Sequence, residues 1–326
     1  MNQDHQIDEG RDVSPLGAFL RGCAMGAADV VPGVSGGTIA FITGIYLRLL
    51  SAIGGIPEAV IGFVRSPNIK TLWRGVDGTF LVTLLAGILT SVLLLARLIS
   101  HWLEAYPVLI WSFFFGLIIA AAWHVGRQVA HWRITVGVSL LMGVALAVVV
   151  TELTPAQLTV TPLTLFGAGA LAICAMILPG ISGSFILLLM GMYAPVIAAV
   201  KGLALAKLAI FAGGCVVGLL AFSRVIAWGL RHYQDVMLAL LTGFMLGSLN
   251  KVWPWKVTTE WRLNSHGEQV PLLQDNIGPL DYASATGADS HLLPAVVLML
   301  GGLLLVLGLE WLGNRYQRRK GDLPSR

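Results

Sequence analysis

Two stretches of the chain carry almost the same text. Pro32-Gly-Val-Ser-Gly-Gly-Thr-Ile-Ala-Phe-Ile-Thr-Gly-Ile-Tyr46 and Pro179-Gly-Ile-Ser-Gly-Ser-Phe-Ile-Leu-Leu-Leu-Met-Gly-Met-Tyr193 agree outright at seven positions: Pro32/Pro179, Gly33/Gly180, Ser35/Ser182, Gly36/Gly183, Ile39/Ile186, Gly44/Gly191 and Tyr46/Tyr193. Each block interrupts an apolar stretch with Pro-Gly and small hydroxyl residues. Proline removes a backbone donor and clashes with the preceding turn, so a helix breaks there. Broken backbone at membrane depth is tolerated only where protein or water covers it. A Gly/Pro-interrupted apolar segment in each half of a chain points to the binding site of a carrier built from two repeats.

Composition agrees with a membrane setting. Of 326 residues 56% are hydrophobic and 12% charged, with mean hydropathy +0.80, whereas a soluble domain is about 25% charged. The 38 glycines suit close helix packing in lipid. Cys23, Cys174 and Cys215 all lie in apolar segments without paired spacing, so they read as packing residues, not as a disulfide framework or metal site. The seven histidines show no ligand spacing, and no G-x-x-x-x-G-K-[ST] motif is present for a nucleotide. No cofactor, metal or nucleic-acid partner is expected. Met1 to Asp12 is polar and acidic, without the apolar core of a cleavable signal peptide.

A spanning helix takes about 20 mostly apolar residues. Spans are expected at 79–98, 107–125, 134–151, 207–228, 236–249 and 292–312. The two interrupted regions, 16–50 around Pro32 and 162–200 around Pro179, have arms too short to cross comfortably and read as re-entrant hairpins. Cytoplasmic loops carry an excess of Lys and Arg. The tail with Arg315, Arg318, Arg319, Lys320 and Arg326 therefore belongs inside, as do the turns with Arg231 and with Arg127 and Arg133, and the loop with Arg48, Arg65, Lys70 and Arg74. Counting spans from the tail puts both termini in the cytoplasm and the polar loop 251–291 outside. The expected fold is an all-α polytopic membrane protein of two repeats, 1–160 and 161–326, each one re-entrant hairpin plus three transmembrane helices. Three spans are an odd number, so the second repeat has inverted topology and the hairpins enter from opposite faces. Phe115-Gly-Leu-Ile-Ile-Ala-Ala-Ala and Thr242-Gly-Phe-Met-Leu-Gly-Ser-Leu are a weaker echo of the same repeat.

After each Pro-Gly a new half-helix starts near Gly36 and Gly183. Its first amides lack internal partners and carry the positive end of the helix dipole, which suits phosphate or carboxylate. Gly33, Ser35, Gly36, Gly37 and Thr38 at one tip, and Gly180, Ser182, Gly183 and Ser184 at the other, form the expected anion site. The same residues also fit a purely structural part, the hydroxyls capping the half-helices and the glycines allowing packing. Asp29, three residues before Pro32, is a carboxylate in an apolar hairpin, where it costs about 2.5–3.5 kcal/mol at the bilayer centre. It suits a coupling or switch group that takes a proton or cation, or else it caps amides of its own tip. Its counterpart in the second block is Met176. Arg224, inside an apolar span, is the arginine best suited to reach a phosphate bidentately; Arg48 and Arg97 end apolar segments and suit snorkelling. Gly33-Val-Ser-Gly-Gly37 fits a nucleophile elbow in letters only, since the preceding strand and a histidine base are missing.

Ala27-Ala-Asp-Val-Val-Pro-Gly-Val-Ser-Gly-Gly-Thr38 and Leu178-Pro-Gly-Ile-Ser-Gly-Ser184 resemble the PopT family of bacterial undecaprenyl-phosphate translocases. The likeness covers nearly the whole chain, including Phe113-Phe-Phe-Gly-Leu-Ile118 and Leu249-Asn-Lys-Val-Trp-Pro-Trp255. The resemblance implies a non-enzymatic flippase in the bacterial inner membrane that returns the lipid carrier undecaprenyl phosphate from the outer to the cytoplasmic leaflet, for reuse in peptidoglycan and other envelope polymers. A proton or sodium gradient is the expected drive. Membrane-embedded undecaprenyl-pyrophosphate phosphatases also use inverted hairpins, with a Pro-Gly-x-Ser-Arg-Ser tip. Here Gly36 and Gly183 stand at the arginine position, and the acidic pair of that catalytic hairpin is missing. A secondary carrier of a small anion is the other alternative that the tips would serve.

Overall fold

The computed structural model describes residues 13–30, 34–153, 158–263 and 269–321. The first interrupted region folds as α1 (Pro15–Asp29), α2 (Gly36–Ile42) and α3 (Tyr46–Gly54), followed by α4 (Ile56–Arg65) and α5 (Ile69–Gly75). Three long helices come next: α6 (Gly78–Ala105), α7 (Pro107–Gly126) and α8 (Ile134–Glu152). The second interrupted region gives α9 (Pro162–Ile177), α10 (Gly183–Leu189) and α11 (Tyr193–Lys201), and then come α12 (Leu205–His232) and α13 (Gln234–Val252). Strands β1 (Lys256–Leu263) and β2 (Gln269–Asn276), a short α14 (Tyr282–Thr286) and α15 (Leu292–Gly321) complete the order.

Local chemistry sets the helix starts. Pro15 opens α1 behind Ser14, whose Oγ accepts the Gly17 N–H at 3.1 Å. Thr161 and Thr164 form a reciprocal capping box around Pro162 at the start of α9. Pro107 both opens α7 and forces Tyr106 out of the helical region, which ends α6.

Among the described residues six helices are long and apolar enough to cross a membrane, one of them α3 and α4 taken together as Tyr46–Arg65. This differs from the expectation of a loop carrying Arg48, Arg65, Lys70 and Arg74: all four lie on helices. The reason is that Gly54 and Gly55 only bend the chain, and Pro57 sits in the first turn of α4 where proline is tolerated. The apolar pair α10 and α11 is bent by 109°. Each interrupted region therefore breaks twice, once between its first two helices and once after a second helix of seven residues, at Gly44 and Gly191. Both glycines have positive φ, +72° and +68°, in Schellman-type caps whose Ile45 and Met192 amides reach back to Ala40 and Leu187.

The all-α expectation needs one correction. Within 251–291, β1 and β2 pair antiparallel, from Lys256 opposite Asn276 to Leu263 opposite Gln269. The β-branched run Val257-Thr-Thr favours a pleated, half-exposed strand over another helix turn. Two indoles fasten this hairpin: Trp253 Nε1 donates to Ile277 O at 2.9 Å and Trp255 Nε1 to Ser290 O at 2.8 Å.

Four helix pairs form the body: α1 with α6, α9 with α12, α7 with α15, and α8 with α13. Each is joined by facing glycines. Gly22 and Gly87 meet in the first pair, Gly169 and Gly214 in the second, Gly116 and Gly302 in the third, Gly143 and Gly243 in the fourth. A Cβ on any of the eight would collide with a backbone carbonyl of the partner helix. Lipid tails are as apolar as leucine, so such close backbone approach, not burial, holds membrane helices together. The main core, with Ile45, Leu50, Ile118, Leu241 and Met245 almost wholly buried, lies where α2 and α3 meet α7 and α13.

Basic turns gather at one end. Arg48 grips Asp77, before α6, through Nε to Oδ2 at 2.6 Å and Nη2 to Oδ1 at 3.1 Å. One turn along α3, Ser51 Oγ accepts from Arg231 at the close of α12 at 2.9 Å. Asp235 accepts the Ala130 and His131 N–H groups at 2.9 and 3.1 Å, tying the Arg127–Arg133 turn to the start of α13.

Candidate functional site

The tips of the two interrupted regions meet and are stitched to each other. Ser35 caps α2: its Oγ accepts the Gly37 N–H at 3.1 Å and donates to Met176 O, at the end of α9, at 3.0 Å. Thr38 Oγ1 accepts the Gly180 N–H at 3.2 Å. Tyr46 OH donates to Ile177 O at 3.1 Å. Ser35 and Thr38 are 1% and 0% exposed. A buried carbonyl or amide without a partner costs about 1–3 kcal/mol, so these cross-tip bonds satisfy backbone groups that the Pro179-Gly180 break would otherwise orphan.

Asp29 closes the first tip from its other side. Its Oδ1 accepts the Gly36 N–H, the leading amide of α2, at 2.7 Å. Gly36 makes room for this contact, since a Cβ would stand 2.7 Å from Asp29 Oδ2 and push the carboxylate aside. The first tip thus holds an anion of its own at its amide terminus.

The second tip is differently satisfied. Ser182 precedes α10, but its side chain caps no amide; its Oγ instead shares a 2.8 Å hydrogen bond with Ser184 Oγ. Ser182 is 9% exposed, and Ser184 is exposed. Met176, equivalent to Asp29, offers no carboxylate and packs where a Cβ on Gly183 would fall. Gly180 adopts φ +89°, a conformation that favours glycine.

Of the residues expected from sequence, the structure brings Asp29, Ser35, Gly36, Gly37, Thr38 and Gly180 together, with Ser182, Gly183 and Ser184 continuing the second tip. Gly33 lies outside the described residues. Arg224 is not brought to the tips by its contacts. Its Nε donates to Gly54 O at 2.8 Å and its Nη2 pairs with Glu58, so it joins α12 to the α3–α4 bend. Arg97's side chain is likewise outside the described residues. Sequence reasoning passed over Tyr46, although its match with Tyr193 was visible, and passed over Lys251 and Lys256 beside the second tip.

Broken paired tips within a bundle of apolar helices define a multi-pass helical membrane protein. The profile of the VCA0040-like family, described as undecaprenyl phosphate translocase-like, matches residues 25–270. A Vibrio cholerae protein named polyprenyl-phosphate transporter is 52% identical over 301 residues, 92% of this chain and 98% of that protein. A Staphylococcus aureus protein of the same name is 33% identical over 258 residues, 72% of this chain and 85% of that one. No solved structure matches. The chain belongs to this undecaprenyl phosphate translocase-like family, whose members are named as transporters and not as enzymes.

Proposed function

We propose that the chain moves a polyprenyl phosphate, undecaprenyl phosphate in the bacterial inner membrane, from the outer to the cytoplasmic leaflet, with the two tips passing the phosphate head. The asymmetry of the tips carries this reading. At the first, Ser35 and Thr38 are buried and engaged, and Asp29 holds the Gly36 amide. At the second, Ser182 and Gly183 are buried too, but no side chain caps α10 through Ser182, and Ser184 is exposed. With the first tip holding a carboxylate and the second uncapped, the second is where a phosphate head binds in this state. The names of the relatives support the lipid class.

The reading includes two inverted repeats, 1–160 and 161–326, with each interrupted region re-entrant. It is supported by the matching lengths of α2 and α10 and of α3 and α11. The glycine-joined pairs support it too, two within a half and two crossing between halves in exchanged order. Helix α12 ends, through Arg231, at the same end where α6 begins, through Asp77. The corresponding helices of the halves therefore run in opposite directions. The basic turns at that end make it cytoplasmic, with both termini there and 251–291 outside.

The uncapped second tip then faces outward. A head group reaching Gly36 and Gly37 has to displace Asp29, or find it protonated or cation-paired, since two anions at one amide terminus repel. That makes Asp29 the coupling group. Arg224, engaged with Glu58, acts in this state as a strut rather than a phosphate ligand.

Reconstitution tests the proposal. With undecaprenyl phosphate in the outer leaflet of proteoliposomes, the protein is expected to shelter it from an impermeant phosphatase at a rate set by a proton or sodium gradient. Unchanged accessibility, alongside uptake of inorganic phosphate into the same vesicles, would replace the lipid reading with that of a small-anion carrier.

A further inference from the structure

A cavity of about 310 Å³ lies beside the second tip, outside the tip contacts. Phe185 and Leu188 of α10 form an apolar side; Glu152 at the end of α8, Lys251 of α13, and Lys256 and Gln274 of the β-hairpin line the rest. Lys251 Nζ stands 4.9 Å from the centre of the Phe185 ring. Lys256 Nζ stands 4.2 Å from that of Trp111 and donates to Lys251 O. Both lysines are half-buried; Glu152 and Asp275, which also line the cavity, are exposed, and Glu152 is near enough to Lys251 to favour its charged form. Glu152 accepts from Asn250. Among the described residues no carboxylate comes within ion-pair distance of either ammonium.

We propose that this cavity is a capture site for a phosphate monoester dianion, held between the Lys251 and Lys256 ammonium groups before the head moves to the second tip. The proposal rests on the transport reading above. Two like charges held close and half out of water disfavour each other; the aromatic faces offset part of that, and exposed Glu152 compensates Lys251 only in part. A dianion supplies charge to both lysines, whereas the single charge of a phosphodiester, the usual membrane head group, supplies half as much. The Phe185–Leu188 side suits the first carbons of an apolar chain, and both residues belong to α10, the helix that starts at the second tip. Burial and the neighbouring Lys251 push Lys256 down to about 7. A bound dianion favours its charged form, so binding above pH 7 takes up a proton and weakens as pH rises.

The test uses the full chain in nanodiscs with farnesyl phosphate as probe, and farnesol, inorganic phosphate and phosphatidylglycerol in parallel. Lys251→Gln and Lys256→Gln are each expected to weaken farnesyl phosphate binding by about tenfold or more, Lys256→Arg to keep it, and farnesol and phosphatidylglycerol to bind weakly. Thermal unfolding identifies any variant that fails to fold, and the Arg form then carries the comparison through its altered proton uptake. If folded Gln variants bind farnesyl phosphate as tightly as the wild type while transport of polyprenyl phosphate persists, the capture site is wrong and the transport reading stands. If the wild type neither binds the probe nor transports, both fall. Lysine-dependent binding of inorganic phosphate as tight as that of farnesyl phosphate would overturn the lipid assignment in favour of free phosphate.

Discussion

Asp29 and Ser35 close the first tip from two sides, one through the Gly36 amide and the other through the Met176 carbonyl. A carboxylate at that amide is a charge-assisted cap, stronger than a neutral one. Asparagine keeps an oxygen that accepts from Gly36 but removes the charge that repels phosphate and takes a proton or cation. Asp29→Asn is therefore expected to leave folding and head-group binding near wild type while transport loses its response to an ion gradient. Parallel binding and proteoliposome measurements check this, and a wild-type ion response in the variant would reduce Asp29 to a local cap. Asp29→Ala removes the acceptor as well and is expected to cost about 0.5–2 kcal/mol of stability.

The glycine-joined pairs explain how an element with little amphipathic contrast finds its partner. Helix α15 carries two adjacent glycines with opposite surroundings. Gly302 faces Phe113 O on α7, where a Cβ would collide, while Gly301 is exposed with open space around it. Gly302→Ala is expected to destabilise the protein by about 1–3 kcal/mol through overpacking. Gly301→Ala is expected to be neutral or stabilising by up to about 1 kcal/mol, since alanine restricts the unfolded chain and favours helix. Thermal unfolding in one detergent separates the two; equal effects would mean that α7 and α15 are not in close backbone contact.

The whole molecule has a basic end, where Arg48, Arg231 and the Arg127–Arg133 turn meet α3, α6 and α13, and an opposite end capped by Trp253, Trp255 and the β-hairpin. A cysteine at exposed Ala285, with Cys23, Cys174 and Cys215 replaced, is expected to react with an impermeant maleimide added to intact cells. A cysteine at exposed Thr71 is expected to react only after lysis. The reverse pattern would invert the orientation and place the uncapped second tip toward the cytoplasm.

The sequence alone determined the membrane class, the two breaks at Pro32 and Pro179, the transporter family and most tip residues, because these follow from apolar run length, from proline chemistry and from a repeated string of letters. It also held the second break: Gly44 and Gly191 were among the matched positions, but a lone glycine does not announce a positive φ. Tertiary structure decided what periodicity cannot carry. Ser35 and Thr38 look like free hydroxyls in the string, and only folding shows them turned onto the opposite tip. Arg224 looks central in an apolar run, yet Glu58, distant in sequence, claims it. Lys251 and Lys256 look like ordinary loop charges until α8, α10 and the β-hairpin close a cavity around them. The difference is physical: local propensity and hydropathy act along the chain, while the partner of a polar side chain is fixed by which backbones the facing glycines allow to approach.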